Sequence, residues 1–159
     1  MSVQQPVSSD HQLTRLLQIG IVLEEVVEVR AGEHARTMDA ADPELETLLD
    51  EAARESADHR EQLENLIDDL EADTIPLEEV KGLVKARYES EADFDGVLYD
   101  QLCNEETAYK FYDDLITAIE ESNATLSVDR RELIQTLAAI RADEADGVEE
   151  VAALMEKRE

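Results

Sequence analysis

Four long segments of this chain repeat apolar residues every three or four positions, and very little interrupts them. That period places the apolar side chains on one face of an α-helix, whereas a half-buried strand would alternate polar and apolar residues. The only prolines are Pro6, Pro43 and Pro76, and the five glycines are scattered. Because proline and glycine are the strongest breakers of regular structure, the sequence predicts long helices and an all-α fold.

Capping residues mark the starts of the predicted helices. Asp10 is a candidate N-cap for the first helix, and Asp42 followed by Pro43 is typical of a helix start. Asp129, with Glu132 three positions later, has the pattern of a capping box. We therefore expect four helices, three over about residues 10–38, 43–70 and 93–121 and a fourth that begins at Asp129 and carries inward apolar residues as far as Leu154.

The connections between these helices differ in length. Helices one and two, and helices three and four, are separated by a few residues, which makes each pair an antiparallel hairpin. About twenty residues separate helices two and three, and they include a short predicted helix at Pro76–Tyr88. A link of this length can cross a bundle and set helix three parallel to helix two. We expect a flexible arm over residues 1–9 and a four-helix bundle over residues 10–159.

The chain is strongly acidic, with 41 Asp and Glu against 14 Lys and Arg and a net charge of -27. Nucleic acids and anionic membranes would be repelled, since binding either one relies on Lys and Arg. The longest apolar stretch, Leu16–Leu23, is too short to span a bilayer, and the single cysteine, Cys103, excludes an internal disulfide framework. We expect a cytoplasmic protein of a salt-accumulating organism, where high ionic strength screens this self-repulsion.

Several acids and one histidine fall on the apolar faces of the predicted helices, near the middle of each. In chain order these inward polar residues are Glu24, Glu28, Glu55, Ser56, His59, Gln101, Asn104, Glu105 and Glu144. Burying unpaired carboxylates together is costly, and no Lys or Arg falls on the apolar faces at this level. Carboxylates with one imidazole suit an ion of iron or manganese. Two alternatives to a metal ion stay open: the acids reach solvent along a groove, or His59 is a core histidine bonded to Glu55.

The segment Glu105–Tyr112 resembles a helix motif of the ferritin-like superfamily, and of rubrerythrins in particular. The motif is a Glu, then Ala three residues later, here Ala108, then an aromatic residue seven later, here Tyr112. Helix one repeats it more weakly, starting at Glu28. The similar region extends over about residues 10–157, which is nearly the whole chain.

In that family the second and fourth helices carry the motif E-x-x-H. Here the second helix keeps His59 but has Ser56 at the Glu position, and the fourth keeps Glu144 but has Gly147 at the His position. The resemblance implies a ferritin-like four-helix bundle that binds one or two ions of iron or manganese. The metal ligands that it implies are Glu28, His59, Glu105 and Glu144, with Glu55 or Glu24 as substitutes for the missing positions.

The resemblance leads to a metal-binding protein as the first functional hypothesis, with oxidation of Fe(II) by oxygen or peroxide as its chemistry if it is an enzyme. Many rubrerythrins also carry a Cys-rich rubredoxin-like module, which this sequence lacks, so a self-contained peroxidase is not expected. The alternative is a metal-free helical bundle that acts in interactions or assembly. By analogy of fold, a homo-oligomer is compatible with both.

Overall fold

The computed structural model describes residues 5–37, 42–80 and 96–158. Four long helices occur in them: α1 (Asp10–Thr37), α2 (Pro43–Asp68), α3 (Val97–Glu120) and α4 (Arg130–Lys157). Residues 77–80 are also helical, and the rest of the short helix predicted at Pro76–Tyr88 lies outside the described residues. No strand is found in the described ranges, so the prediction of an all-α fold is confirmed. In the same ranges, no helix has the length and apolar character needed to cross a membrane.

Helices α2 and α4 begin at the residues that the sequence indicated. The Asp42 carboxylate accepts a hydrogen bond from the Leu45 amide at 3.2 Å. The Asp129 carboxylate accepts from two amides of the first turn of α4, at 2.8 and 3.2 Å. These amides have no partner within their own helix, so a side-chain acceptor fixes where each helix begins.

The start of α1 differs from the prediction. Ser9 caps this helix, since its hydroxyl accepts from the Gln12 amide at 3.1 Å, and Asp10 is the first helical residue. The Asp10 carboxylate instead accepts from the amides of Ser127 (3.0 Å) and Glu71 (3.2 Å). It therefore ties the start of α1 to the connections that follow α2 and α3.

Each long helix packs against two others: α1 against α2 and α3, and α4 against α2 and α3. The Val7 amide, ahead of α1, donates to the carbonyl of Ala118 near the end of α3, whereas His34 contacts Asp100 at its start. Helices α1 and α3 are therefore antiparallel. Because the short connection makes α1 and α2 antiparallel as well, α3 runs in the same direction as α2.

The connection after α2 returns along α1. The buried Gln18 side chain bonds both polar groups of the Ile75 backbone, at 2.8 and 3.3 Å, and Arg15 donates to the carbonyl of Asp73 at 2.8 Å. From residue 73 to residue 75 the chain therefore advances along α1, towards the level where α3 begins. The described part of this connection ends at residue 80, and the predicted crossover as a whole stays a prediction because residues 81–95 are not described.

A polar layer divides the apolar core into two clusters. The larger cluster lies towards the start of α1 and is built around buried residues such as Leu17, Leu63, Phe111, Leu115 and Leu137. The smaller cluster lies towards the other end of α1, and its buried members are Ala31, Leu45, Leu49 and Leu154. Between them lie the buried polar residues Glu24, Ser56, His59, Gln101, Asn104, Glu105 and Glu144. The polar layer therefore lies between the two ends of the long helices and separates the two apolar clusters.

Candidate metal centre

Each of the four long helices contributes one ionisable side chain to the centre of the polar layer. These are Glu24 (1% exposed), His59 (1%), Glu105 (5%) and Glu144 (3%). Each lies near mid-helix with apolar residues one or two turns away, so packing of the two apolar clusters draws all four side chains inward. The sequence thus buries several carboxylates beside one imidazole.

His59 makes hydrogen bonds on both sides of its ring. Nδ1 donates to Oε1 of Glu24 at 3.2 Å and to Oε1 of Glu144 at 3.1 Å. Nε2 donates to Oδ2 of Asp143 at 2.9 Å, and the side chain of Asp143 is 49% exposed. The ring therefore separates a buried pair of carboxylates from one that reaches solvent.

Glu24 has one satisfied and one unsatisfied carboxylate oxygen. Oε1 accepts from the Tyr112 hydroxyl at 2.7 Å as well as from His59. Oε2 is buried and has no hydrogen-bond partner. Because Tyr112 is itself fully buried, its hydroxyl fixes the position of the Glu24 carboxylate.

Glu105 is held between α3 and α4. Its Oε1 accepts from Gln101 Nε2 at 2.8 Å, and its carboxylate accepts a hydrogen bond from Glu144. Gly147 of α4 lies against the same carboxylate, since a β-carbon at this position would be 2.6 Å from Oε2 of Glu105. Glycine therefore gives Glu105 the room to approach α4.

Burial and neighbouring charges shift the pKa values of the groups in this cluster. Burial by itself lowers the pKa of His59, but the hydrogen bonds to Glu144 and Glu24 outweigh it and raise this pKa to about 11. Burial raises the pKa of Glu144, and its hydrogen bond to Glu105 raises it further. Burial also raises the pKa of Glu105, against its hydrogen bonds with Glu144 and Gln101. In the metal-free cluster at neutral pH these shifts favour a protonated His59 and a proton held within the pair Glu144 and Glu105.

Glu55 lies at the edge of the cluster, in a cleft of about 360 Å³ between α2 and α4. The cleft is lined mainly by acids, including Glu51, Glu55, Asp58, Glu105, Asp143 and Glu150. Burial raises the pKa of Glu55 to about 7; the charge of His59 lowers it, and Glu105 and Asp143 add to the increase. The cleft connects the polar layer with solvent.

Ligand atoms in three groups lie within 4.8 Å of one another, the distance range of a shared metal ion. The first group, Glu24, His59 and Glu144, is completely buried. The other two, which both contain the half-buried Glu55, are Glu55 with His59 and Asp143, and Glu55 with Glu105 and Glu144. A metal ion can be held at this cluster.

Five of the six predicted metal ligands are brought together, namely Glu24, Glu55, His59, Glu105 and Glu144. Glu28 is not among them. Its carboxylate is about one-third exposed and accepts from Arg60 at 2.6 Å. Glu24, which the sequence analysis gave only as a substitute for a missing ligand, occupies the position on α1 that faces His59.

Asp143 has a part in the site that the sequence did not assign to it. The sequence left open a hydrogen bond between His59 and Glu55, but in the described residues the carboxylate bonded to Nε2 is that of Asp143. The signal for this role was its position next to Glu144 on the flank of the apolar face. Tyr112, the aromatic residue of the helix motif, contacts the cluster through its hydrogen bond to Glu24.

Comparisons with protein-family models, with curated proteins and with solved structures found no match to this chain. Functional inference therefore rests on the buried cluster itself.

Proposed function

We propose that this chain is a ferritin-like four-helix bundle that holds a transition-metal ion, iron or manganese. The helix arrangement supports the fold, because two hairpins, α1/α2 and α3/α4, are joined by a long connection and α3 runs parallel to α2. The observation that carries the function is the completely buried group of Glu24, His59 and Glu144.

The donor set of this group fits such an ion. Two carboxylates supply the hard oxygen donors that suit manganese, and one imidazole supplies a nitrogen that suits iron. Oε2 of Glu24 is a buried acceptor without a hydrogen-bond partner. A buried acceptor is costly unless a donor or a cation reaches it, and a divalent ion between Glu24 and Glu144 would satisfy it.

A single ion is proposed. A complete dinuclear centre in the ferritin-like family uses four carboxylates and two histidines, and here Ser56 and Gly147 replace two of the expected ligands. The group of Glu55, Glu105 and Glu144 contains no nitrogen donor, and it shares Glu144 with the buried group that contains His59. The imidazole of His59 therefore favours the position beside Glu24.

Neighbouring side chains would hold the ligands in place. Asp143 accepts a hydrogen bond from Nε2 of His59, so that loss of the proton on Nδ1 would leave the lone pair of Nδ1 for the ion. Tyr112 fixes one oxygen of Glu24 and leaves the other free to bind the ion. Glu105, bonded to Glu144, is a further carboxylate close to the ion.

Bound iron would supply one-electron chemistry with oxygen or peroxide, which is the reaction we assign to the site if the protein is an enzyme. The chain's own part is to hold the ligands and to limit access of water. Apolar clusters on both sides of the polar layer serve that purpose, and the carboxylates would neutralise the added charge of an oxidised ion.

Anaerobic reconstitution with Fe(II), followed by gel filtration and metal analysis, tests this proposal. The wild type should keep one iron ion per chain, and Glu144→Gln should lose it, because the variant removes a charged ligand of the buried group. Glu64→Gln, which changes an exposed acid of α2, should keep the ion. Absence of iron from the wild type would remove the proposal.

A second candidate is a metal-free bundle that acts in interactions or homo-oligomer assembly. The observation that favours it is the internal pairing of the cluster, in which the imidazole of His59 is hydrogen-bonded to the carboxylates of Glu24, Glu144 and Asp143. In this case the melting temperature should not depend on chelators or on added metal. A melting temperature that rises with Fe(II) or Mn²⁺ would exclude it.

A salt-rich cytoplasm is proposed as the working environment. The net charge of -27 supports this, since repulsion among so many acids destabilises the compact state unless ions screen it. The melting temperature should therefore rise with KCl up to molar concentrations. A melting temperature that does not change over this range would contradict the proposal.

A further inference from the structure

The proposed metal position is buried, so an ion must pass through the protein surface to reach it. Glu24, His59 and Glu144 are each at most 3% exposed. The cleft between α2 and α4 approaches them, because Asp143, which bonds His59, is one of its lining residues. This cleft is therefore a route between solvent and the buried group.

A second set of possible metal ligands lies at this cleft. Glu55 and Asp143 line the cleft, and together with a nitrogen of His59 they form one of the groups within 4.8 Å. Nε2 of His59 faces Asp143, whereas Nδ1 faces Glu24 and Glu144. The imidazole thus lies between a partly exposed set of carboxylates and a buried one.

We infer that Glu55, Asp143 and Nε2 of His59 form a loading site, where a divalent cation is held before it moves to the buried group. This inference rests on the proposed metal-binding function. A neutral imidazole has one nitrogen lone pair, so His59 can bind a cation at Nε2 or at Nδ1, but at one of them at a time. The two positions are therefore occupied in turn by the same ion.

Acidic residues at a cleft do not by themselves indicate a cation site, and the argument depends on a second observation. Glu24, whose Oε1 is bonded to Nδ1 of His59, has a second oxygen, Oε2, that is buried and lacks a hydrogen-bond partner. This atom indicates where a cation would come to rest. The loading site is on the other ring nitrogen of His59, at the cleft that Glu55 and Asp143 line.

The charges of the cleft favour cations. Its lining includes six acids and a single basic residue, Arg54. A cleft lined by one sign of charge raises the local concentration of ions of the opposite sign and speeds association by about 10- to 1,000-fold. The loading site should therefore act on the rate of binding.

Stopped-flow mixing of the metal-free full chain with Co²⁺, followed by visible absorption, tests the inference. At about pH 8, where Glu55 with its pKa of about 7 is mainly ionised, Glu55→Gln removes one charged ligand of the loading site and should slow association by about tenfold, the lower end of such electrostatic effects. Dissociation, measured by mixing with EDTA, should slow by the same factor, so that the dissociation constant and the stoichiometry stay unchanged. Glu64→Gln removes the same charge from an exposed position of α2 and should leave both rates close to those of the wild type.

The remaining outcomes separate the inference from the function on which it rests. Association of Glu55→Gln at the wild-type rate would overturn the loading site and leave the proposed function intact. Faster dissociation with weaker binding would also overturn it, because Glu55 would then be a ligand of the resident ion. Failure of the wild type to bind Co²⁺ or Fe(II) would remove both.

Discussion

A β-carbon on Gly147 would lie 2.6 Å from Oε2 of Glu105, which is closer than real β-carbons approach other atoms. Glycine in the middle of α4 therefore has a packing reason. It lets the Glu105 carboxylate lie against the helix, within hydrogen-bonding reach of Glu144. Gly147, which stands where the E-x-x-H pattern has a histidine, thus leaves room for the Glu105 carboxylate beside Glu144.

Substitution of alanine for two helical glycines, Gly32 and Gly147, should have opposite effects on the free energy of unfolding, because their surroundings differ. In Gly32→Ala the new β-carbon meets only the Arg36 side chain at 3.8 Å, so helix propensity should stabilise the protein by about 1 kcal/mol. In Gly147→Ala the displaced Glu105 carboxylate should cancel this gain and cost about 1–2 kcal/mol more. Urea unfolding of the metal-free variants measures both. Equal stabilisation by the two substitutions would contradict the described position of Glu105.

The hydroxyl of Tyr112 should contribute to stability through Glu24. Tyr112→Phe keeps the ring in the core and removes the donor to a buried carboxylate, so we expect a loss of about 1–2 kcal/mol in the free energy of unfolding. Tyr109→Phe is the matched control, because Tyr109 is 39% exposed and should change stability by less than about 0.5 kcal/mol. Similar losses in both variants, measured by urea unfolding, would mean that the contact with Glu24 is not stabilising.

The metal-free protein should become less stable as the pH rises through the range in which Glu55 titrates. Its pKa is raised from 4.5 to about 7, so over this range the folded state keeps a proton that the unfolded chain has released. The free energy of unfolding therefore falls between pH 4.5 and pH 7. Glu55→Gln should remove this part of the pH dependence, and Glu64→Gln should not. Denaturant unfolding in EDTA and 1 M KCl checks this; the same slope in Glu55→Gln and wild type would contradict it.

Metal binding should release protons, because His59 and the pair Glu144 and Glu105 hold protons that an ion must displace. Burial with neighbouring carboxylates raises the pKa of Glu144, and hydrogen bonds to Glu144 and Glu24 raise that of His59 to about 11 against the effect of burial. Affinity for Mn²⁺ should therefore increase with pH. Calorimetric titration at pH 7 in buffers of different ionisation enthalpy measures the protons released. A binding enthalpy that is independent of the buffer would contradict the assigned protonation.

The local parts of this structure could be predicted from the sequence. The N-caps Asp42 and Asp129 act through residues two or three positions away, and the apolar period identifies the inward faces of all four helices. The same period places Glu105 and Glu144 in the interior. Each of these features depends on neighbours in the sequence.

The choice between Glu24 and Glu28 could not be made in this way. The two residues are one helical turn apart and point in nearly the same direction, so periodicity cannot separate them. The difference comes from another helix: Arg60 of α2 binds Glu28, and His59 binds Glu24. Likewise, the reach of Asp143 to His59 depends on the distance between α2 and α4, which no single-helix pattern contains.

Retention of Fe(II) by Glu24→Gln and Glu28→Gln tests the central claim most directly, because the two variants change the same helix by the same atoms one turn apart. After anaerobic loading and gel filtration, we predict one iron ion per chain in the wild type and in Glu28→Gln, and almost none in Glu24→Gln. Circular dichroism should show that all three remain helical. Equal retention by the two variants, or no iron in the wild type, would contradict a metal centre built on Glu24, His59 and Glu144.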